Sequence, residues 1–364
     1  MPPKRNRRFP QSLVILMPFP ALRQTARAAS ALVLAALLAG CELVVMKPHG
    51  DIASQQADLI VIATALMLLI IVPVIFLTLF FAWRYRKSNT EATYTPDWDH
   101  STRLELVIWG VPLLIIIALG AITWISTHKL DPYRPLDRIE AGRPVPAGVE
   151  PLQVNVVSLD WKWLFIYPEL GIATVNEVAA PVDRPIRFHL TSSTVMNTFY
   201  VPALAGMIYT MPGMETKLHA VINRPGDYEG ISGNYSGAGF SYMRFRFLGL
   251  DDAGFDAWVE KNRASAEPLT REAYLQLEKP SEREPVRRYG RIDEKLFDAI
   301  INRCVEPGKM CMNEMMHIDA SGGAGKGGVV GISRQPAANG RDRFVVAAMC
   351  TAANPAGLPQ NLAP

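Results

Sequence analysis

The stretch Gly230–Phe245, GISGNYSGAGFSYMRF, runs from a loop rich in glycine and serine into a strand. At its end and beyond, Met243, Phe245 and Phe247 alternate with arginines, which is the period of a strand with one buried face. A tight loop of this kind between two strands often holds a metal or a substrate. This loop contains no Cys, His, Asp or Glu. The stretch therefore predicts a β-domain and leaves open what the loop is for.

Further strands are expected on the N-terminal side of this stretch. Apolar and polar residues alternate in three other runs, which are PLQVNVVS (151–158), PIRFHLT (185–191) and TKLHAVI (216–222). Turn-forming sequences with Gly and Pro separate these runs, and the pattern predicts an all-β sandwich or barrel over residues 151–250. A helical arm should follow at 251–317, with Asp251 or Asp252 as the N-cap of its first helix. Residues 128–150 are expected to be a linker.

Few residues of this β-domain and arm are candidate metal ligands. His189 and His219 each lie in a predicted strand without a spaced partner, which favours ordinary strand histidines. The chain has four cysteines, Cys41, Cys304, Cys311 and Cys350. They form no CxxC pattern, so a zinc or thioredoxin-like site is not indicated. The last three lie beyond the part expected to fold, and the sequence leaves a Cys304–Cys311 disulfide open.

The composition points to a membrane-anchored protein. The chain has 364 residues, 49% of them apolar, and a formal net charge of only +3, which gives no case for nucleic-acid binding. The apolar residues concentrate in three runs before residue 127. The remainder has the polar, Pro- and Gly-punctuated composition of a globular domain. We therefore expect one water-exposed domain on a membrane anchor.

The first apolar run predicts export and lipidation. Residues 31–41, ALVLAALLAGC, follow Arg23 and Arg27 and are too few to span a bilayer. The ending LLAGC resembles a bacterial lipobox, so residues 1–40 are expected to be a lipoprotein signal peptide and Cys41 the lipidated mature N-terminus of segment 41–58. The alternative is a buried apolar helix that ends in Cys, and Met1 and Met17 both remain possible starts.

The next two apolar runs predict a transmembrane hairpin. Residues 59–83 and 105–127 are each long enough to cross a bilayer, and their prolines, Pro73 and Pro112, are tolerated in membrane helices. The loop between them, 84–104, carries three arginines and a lysine, which places it in the cytoplasm. Both termini are then outside. The β-domain is expected in the periplasm of a protein of the bacterial inner membrane.

Several long motifs resemble subunit II of the haem-copper respiratory oxidases, in particular its bo-type, ubiquinol-oxidising branch. They are WRYRKSN, LELVIWGVPLLIII, SLDWKWLFIYPE, VMNTFYVPALAGMIYTMPGMETKL and PGDYEGISGNYSGAGFSYMRF. The resemblance covers residues 31–317 and implies that the β-domain is cupredoxin-like. The expected fold is therefore a two-helix membrane hairpin, an all-β cupredoxin-like periplasmic domain and a C-terminal helical extension.

The resemblance also explains the loop in the opening stretch. In the cytochrome c-oxidising branch of this family, the corresponding residues are Cys, His, Glu and Met side chains around two coppers. The positions that match these residues here are Asn197, Ser232, Asn234, Ser236, Phe240 and Met243. Without thiolate or imidazole these positions are expected to hold no metal. Trp161 matches the aromatic residue through which electrons enter that copper centre, and here a packing role is expected.

The function that the resemblance implies is that of a subunit without its own redox cofactor or catalytic residues. Ubiquinol would pass electrons to haem and copper in subunit I, which reduces oxygen and pumps protons, with subunits III and IV and membrane lipids as further partners. Menaquinol as donor stays open, as do the haem types. The alternatives are subunit II of a cytochrome c oxidase and a free-standing cupredoxin-like lipoprotein.

Two features carry hypotheses of their own. Glu105 begins the second membrane helix, where a carboxylate is favoured by the helix dipole. The resemblance aligns it with a family glutamate at the cytoplasmic mouth of a proton channel, which makes it a proton-uptake candidate. The segment 309–319, KMCMNEMMHID, could hold Cu(I) through its thioethers. Such tails are more often disordered, and disorder is the expectation for 318–364.

Overall fold

The computed structural model describes residues 43–93, 95, 97–320, 332–336 and 342–346. The described residues from Val45 onward belong to one compact unit. The signal peptide and lipidated Cys41 that the sequence predicts lie outside the described residues. The architecture below is that of this unit.

Two long helices precede the β-domain. They are α1, Asp51–Arg84, and α2, Thr102–Lys129, and both are long and apolar enough to cross a membrane. Helix α1 begins before the predicted segment 59–83. Its first two turns are polar, and there Asp51, Ala53 and Ala57 are buried in contact with the rest of the unit rather than exposed for lipid. An apolar run alone could not mark that start.

The linker and the β-domain contain twelve strands. They are β1 Arg138–Glu140, β2 Arg143–Pro144, β3 Leu152–Leu159, β4 Lys162–Tyr167, β5 Ile172–Val175, β6 Glu177–Pro181, β7 Ile186–Ser192, β8 Asn197–Tyr200, β9 Ile208–Thr210, β10 Thr216–Ala220, β11 Gly226–Ser232 and β12 Arg244–Leu250. Strands β1 and β2 form a small sheet of their own. Most other neighbours are antiparallel, while β3 pairs with β7 and β6 with β12 in parallel.

The C-terminal arm mixes short helices and strands. Its elements are α3 Asp252–Arg263, β13 Pro268–Leu269, α4 Arg271–Leu277, β14 Arg287–Tyr289, β15 Arg291–Ile292, α5 Leu296–Ile301 and α6 Met312–Ala320. Asp251 is the N-cap of α3 and accepts a hydrogen bond of 2.8 Å from the Gly254 amide, as the sequence predicts. Within the segment 318–364, for which disorder stays a prediction, β16 Ile332–Pro336 and β17 Asp342–Val346 pair in antiparallel.

Two sheets enclose the first hydrophobic core. The six-stranded sheet has the order β10-β7-β3-β4-β5-β14, and the five-stranded sheet has the order β6-β12-β11-β8-β9. Between them lies an aromatic cluster in which the Phe199 ring centroid is 5.2 Å from Phe245, 5.3 Å from Phe188 and 5.6 Å from Trp163. Offset and edge-to-face contacts at such distances stabilise a core beyond area burial alone.

A second core covers the opposite face of the six-stranded sheet. Leu164 and Ile166 of β4 pack there with Tyr274, Leu296 and other residues of the arm. Cys304 is buried in this core and is bonded to Cys311, with 4.8 Å between their Cα atoms. The expectation that these cysteines lie outside the folded part was therefore wrong, because the arm supplies half of a core.

Buried polar groups also attach the arm to the sheet. The Lys162 ammonium donates hydrogen bonds of 2.7 Å to the Lys279 carbonyl and the Ser281 hydroxyl, and burial lowers the pKa of this lysine. The Glu177 carboxylate accepts from Trp258 Nε1 at 3.1 Å and from Arg288 at 2.8 Å. Each bond joins the β-domain to a residue that lies far later in the chain.

The chain is hydrogen-bonded to the β-domain on both sides of the helical hairpin. Before α1, the amides of His49 and Gly50 both donate to the Ala203 carbonyl at 2.9 Å. After α2, the Pro132 carbonyl accepts from the His219 amide at 3.1 Å. The β-domain is therefore held directly on the end of the hairpin rather than on a free linker.

Candidate functional site

The loop of the opening stretch joins β11 to β12. The two strands pair from Gly226↔Gly249 to Ile231↔Arg244, and residues 233–243 form the loop between them. Gly230 lies opposite Phe245, and a Cβ added at Gly230 would lie 2.1 Å from Phe245 Cζ. Only glycine leaves room for the ring, so this residue type is needed where the loop meets the aromatic core.

A hydrogen-bonded polar network fills the space behind this loop. Asn197 and Ser232 are buried, and the Ser232 hydroxyl donates to Asn197 Oδ1 at 3.3 Å. The Asn197 amide in turn donates to Ser158 Oγ at 3.4 Å, and that hydroxyl shares a bond of 2.8 Å with Thr210 Oγ1. Neutral groups that can each donate and accept satisfy one another here without an ion.

The other loop positions are occupied by equally neutral groups. Asn234 Nδ2 donates to the Met196 carbonyl at 2.9 Å, and the Ser236 hydroxyl lies 4.0 Å from the sulfur of buried Met243. The Phe240 ring is edge-on to Tyr235, with centroids 5.6 Å apart. The loop is therefore ordered by side-chain contacts.

Trp161 explains why the loop is rich in glycine. Its indole Nε1 donates to the Ser236 carbonyl at 3.1 Å. A Cβ added at Gly237 would lie 2.9 Å from the indole, and one added at Gly239 would lie 2.5 Å from it. The tryptophan has a φ of 67°, which is unusual for a bulky residue. It packs on the loop, as the sequence analysis expects.

The chemistry of these residues does not suit a dinuclear copper centre. Such a centre needs thiolate and imidazole ligands, whereas Asn197, Ser232, Asn234, Ser236 and Phe240 offer amides, hydroxyls and a ring. Only the Met243 thioether is a soft donor. Across the described part of the chain, no group of three or more His, Cys, Asp or Glu side chains is placed to hold a metal ion.

Glu105 lies in the first turn of α2, as predicted, beside a residue that the sequence analysis missed. The His100 Nδ1 atom is 2.7 Å from Glu105 Oε1, and about half of the glutamate side chain is exposed. At this distance an imidazole N–H can donate a hydrogen bond to the carboxylate. His100 and Glu105 are five residues apart, which is not the spacing of neighbours on one face of a helix. Only the structure therefore reveals the pair.

The two strand histidines lie on the outer face of the six-stranded sheet. His189 contacts Glu215 at 2.7 Å and Gln153 at 3.0 Å. His219 is buried, and burial, followed by the nearby charge of Arg187, lowers the pKa of its imidazole to about 4. Each has a structural environment of its own, in keeping with the prediction that they are ordinary strand residues.

The methionine-rich segment is partly folded. Cys311 is in a disulfide, so it offers no thiolate for Cu(I). Met312 begins α6, and its sulfur lies 3.4 Å from the place where a Cβ of Gly213 would be, so it packs on the turn before β10. The hypothesis that segment 309–319 binds Cu(I) therefore has one candidate ligand fewer.

Comparisons with known proteins agree with this architecture. Residues 154–247 match the family model described as cytochrome c oxidase subunit II, periplasmic domain, and residues 263–308 match the one described as COX aromatic rich motif. The second match spans the arm that completes the second core. The fold and the two family models thus assign this chain to the class of cytochrome oxidase subunits II.

Relatives within that class narrow the assignment. The chain is 50% identical to cytochrome bo(3) ubiquinol oxidase subunit 2 of Pseudomonas putida over 73% of this chain and 82% of that one. It is 50% identical to ubiquinol oxidase subunit 2 of Acetobacter aceti over 73% of this chain and 84% of that one. The chain therefore belongs to the bo-type ubiquinol oxidase subunit II family of the haem-copper oxidases.

Among solved structures, the periplasmic domain of subunit II of cytochrome oxidase from Bradyrhizobium japonicum is similar. It is 23% identical, covers 32% of this chain and 95% of that one, and has a TM-score of 0.30. Together, the two apolar helices and the matched periplasmic domain describe an inner-membrane protein with its β-domain in the periplasm.

Proposed function

We propose that this chain is the subunit II, without redox cofactors, of a proton-pumping terminal oxidase that oxidises ubiquinol and reduces oxygen to water. The observation that carries the proposal is the network of Asn197, Ser158, Thr210 and Ser232. Hydrogen bonds between neutral side chains hold the loop in the place where the cytochrome c-oxidising branch has copper ligands. Without an electron entry site here, a quinol would deliver electrons directly to another subunit.

The oxidase's cofactors then belong to subunit I. Haem and copper there would accept the electrons of ubiquinol and reduce oxygen, while this chain holds none of the reacting groups. Its role is to bind subunit I through the helices and to cap it with the β-domain, with subunits III and IV in the same assembly.

Exposed apolar side chains support the capping role. They surround the loop end of the β-domain and are Met196, Met207, Tyr209 and Tyr235. Met207 lies next to Gly233 of the loop, and Tyr209 is paired with Thr198 on the neighbouring strand. Clusters of Met and Tyr at a surface favour contact with another protein. The surfaces of α1 and α2 are likewise apolar and exposed.

We also propose that Glu105 takes part in proton uptake on the cytoplasmic side. The support is its place at the start of α2 and its contact of 2.7 Å with His100. An exposed carboxylate next to an imidazole can collect protons from solvent and pass them inward. A lipid anchor at Cys41 belongs to the same proposal and rests on the residue order at 31–41.

Purification through a tag on this chain in mild detergent tests the proposed function. We expect haem-containing partners to co-purify and the preparation to consume oxygen with ubiquinol as donor, but not with reduced cytochrome c. A haem-free preparation would contradict the proposal. Mass spectrometry of the mature N-terminus checks for lipid on Cys41 in the same sample.

Replacement of Glu105 by Ala tests proton uptake. Ubiquinol-driven turnover should fall several-fold while the haem content and the oxidase assembly stay at wild-type levels, because the carboxylate only relays protons. Glu91→Ala provides the matched control, since Glu91 is an exposed carboxylate of the same cytoplasmic loop. If both variants turn over at the same rate, Glu105 has no such role.

A further inference from the structure

A cavity lies where the helical hairpin meets the β-domain. Its lining includes Asp51, Gln55, Gln56, Lys129, Arg134 and His219. The cavity has a volume of about 80 Å³. At roughly 15 Å³ for each water molecule, this is room for about five waters, or for a small organic group. Of the lining residues, only Met207 belongs to the surface that is proposed to cap subunit I.

The inner part of the cavity offers hydrogen-bond acceptors. Asp51 is buried, and its Oδ2 atom accepts from Gln55 Nε2 at 2.7 Å and from Arg138 Nε at 3.0 Å. His219 is only 6% exposed, and its ring makes no hydrogen bond within the described residues. Because its lowered pKa keeps the ring neutral at pH 7, one ring nitrogen is a free acceptor. This acceptor lines the same cavity as the Asp51 carboxylate, which favours a ligand that donates N–H groups.

The cavity lining also contains two basic side chains. Lys129 is the last residue of α2, and it is exposed and has no ion pair within the part of the chain that the structure describes. Arg134 follows in the linker, where it contacts Asp137 at 2.8 Å. A lysine at the end of a membrane helix extends toward the headgroup layer, and Trp124 one turn earlier is typical of the same depth.

The charges at the cavity balance only when a residue outside its lining is counted. Three carboxylates, Asp51, Asp131 and Asp137, line it with two basic groups, Lys129 and Arg134, and Asp51 is also paired with Arg138 from outside the lining. A site for a simple anion would carry an excess of positive charge. A balanced site with buried acceptors and an exposed free cation instead matches a zwitterion.

We propose that this cavity binds the headgroup of a phospholipid with a primary ammonium, of the phosphoethanolamine type, from the periplasmic leaflet. The ammonium lies toward Asp51 and His219, and the phosphate lies toward Lys129. The acyl chains follow the apolar surface below, where Ile60 of α1 and Ile125 of α2 are exposed. The lipid thereby bridges the hairpin and the β-domain.

Native mass spectrometry of the intact, delipidated oxidase complex tests this proposal without altering the protein. Phosphatidylethanolamine should bind roughly tenfold more tightly than phosphatidylcholine, whose ammonium has no N–H to donate. It should also bind more tightly than phosphatidylglycerol, which has no cation for Asp51. Equal binding of the three lipids would overturn the proposal. Equally tight binding of free phosphoethanolamine would overturn the lipid assignment, because the acyl chains should contribute.

Variants then locate the site. Lys129→Gln should remove one tightly bound phosphatidylethanolamine from the complex, because it deletes the exposed free cation. Lys217→Gln is the control, since this half-buried lysine lies on β10 next to His219 but does not line the cavity. Asp51→Asn should reduce the preference for ethanolamine over glycerol headgroups. Identical lipid retention by Lys129→Gln and Lys217→Gln would place the lipid elsewhere and reject this cavity.

Discussion

The two faces of the six-stranded sheet are built in different ways. The inner face packs Phe165, Phe188 and their neighbours mainly against the second sheet, and Phe255, Trp258 and Val259 of α3 add to this core from the arm. The outer face is divided. Its half around Leu164 is covered by the arm, whereas its other half carries polar residues such as His189 and His219. The inner face is thus closed mainly by a second sheet, whereas the covered half of the outer face depends on the later part of the arm.

The largest effect is expected from the inner face. Phe165 is fully buried, and its ring centroid is 5.1 Å from that of Phe245. Phe165→Ala should lower the free energy of unfolding by about 4 kcal/mol, through lost burial and a residual cavity. Urea denaturation of the full chain in detergent, followed by tryptophan fluorescence, measures this. Phe165→Leu should cost less than half as much, and a loss below about 1 kcal/mol for the alanine variant would contradict a tightly packed inner face.

The neighbouring residue tests the outer face on the same strand. Leu164 is also fully buried, but against the arm, so Leu164→Ala should cost about 3 kcal/mol. Hydrogen exchange should rise in α4 and α5 while β8 and β11 stay protected. Exchange that rises equally in both regions would mean that the two cores unfold as one unit.

The disulfide should stabilise only the arm. Cys311→Ser opens a short loop and should cost about 2 kcal/mol in the same urea assay. A reducing agent should destabilise the wild type by a similar amount and should leave the variant unchanged. If the reductant destabilises both equally, its effect does not come from this disulfide.

The smallest expected effect concerns the polar half of the outer face. The folded state holds the pKa of His219 at about 4, below the ordinary value of 6.5, so the unfolded chain binds more protons between these pH values. Stability should therefore fall as the pH is lowered through this window, by about 1.5 kcal/mol between pH 6.5 and 5. His219→Gln should remove that part of the pH dependence. His189→Gln is the control, and an unchanged slope in His219→Gln would refute the assignment.

Most of the inner face could be predicted from the sequence. Leu152, Val154 and Val156 alternate with polar residues, and they are all in the first core. The same rule fails for β4, KWLFIY, because every residue of this strand is buried on one face or the other. A strand between two cores shows no period of two. The second core was missed for that reason, and Cys304 with it.

The site was predicted only in part, for a similar reason. The family resemblance identified Asn197 and Ser232, but not their partners Ser158 and Thr210. These two hydroxyls are 52 residues apart in the chain and meet only because strands of different sheets cross at this point. Hydroxyl residues in strands are common, and nothing in the local sequence distinguishes these two.

The pairing of β14 with β5 sets an order of events during export. Tyr289 lies opposite Ala173, so the outer apolar residues around Leu164 stay uncovered until residues 287–301 have crossed the membrane. A chain that emerges from its N-terminus exposes this surface to aggregation throughout that interval. A segment that is exported late is therefore needed to cover this apolar surface.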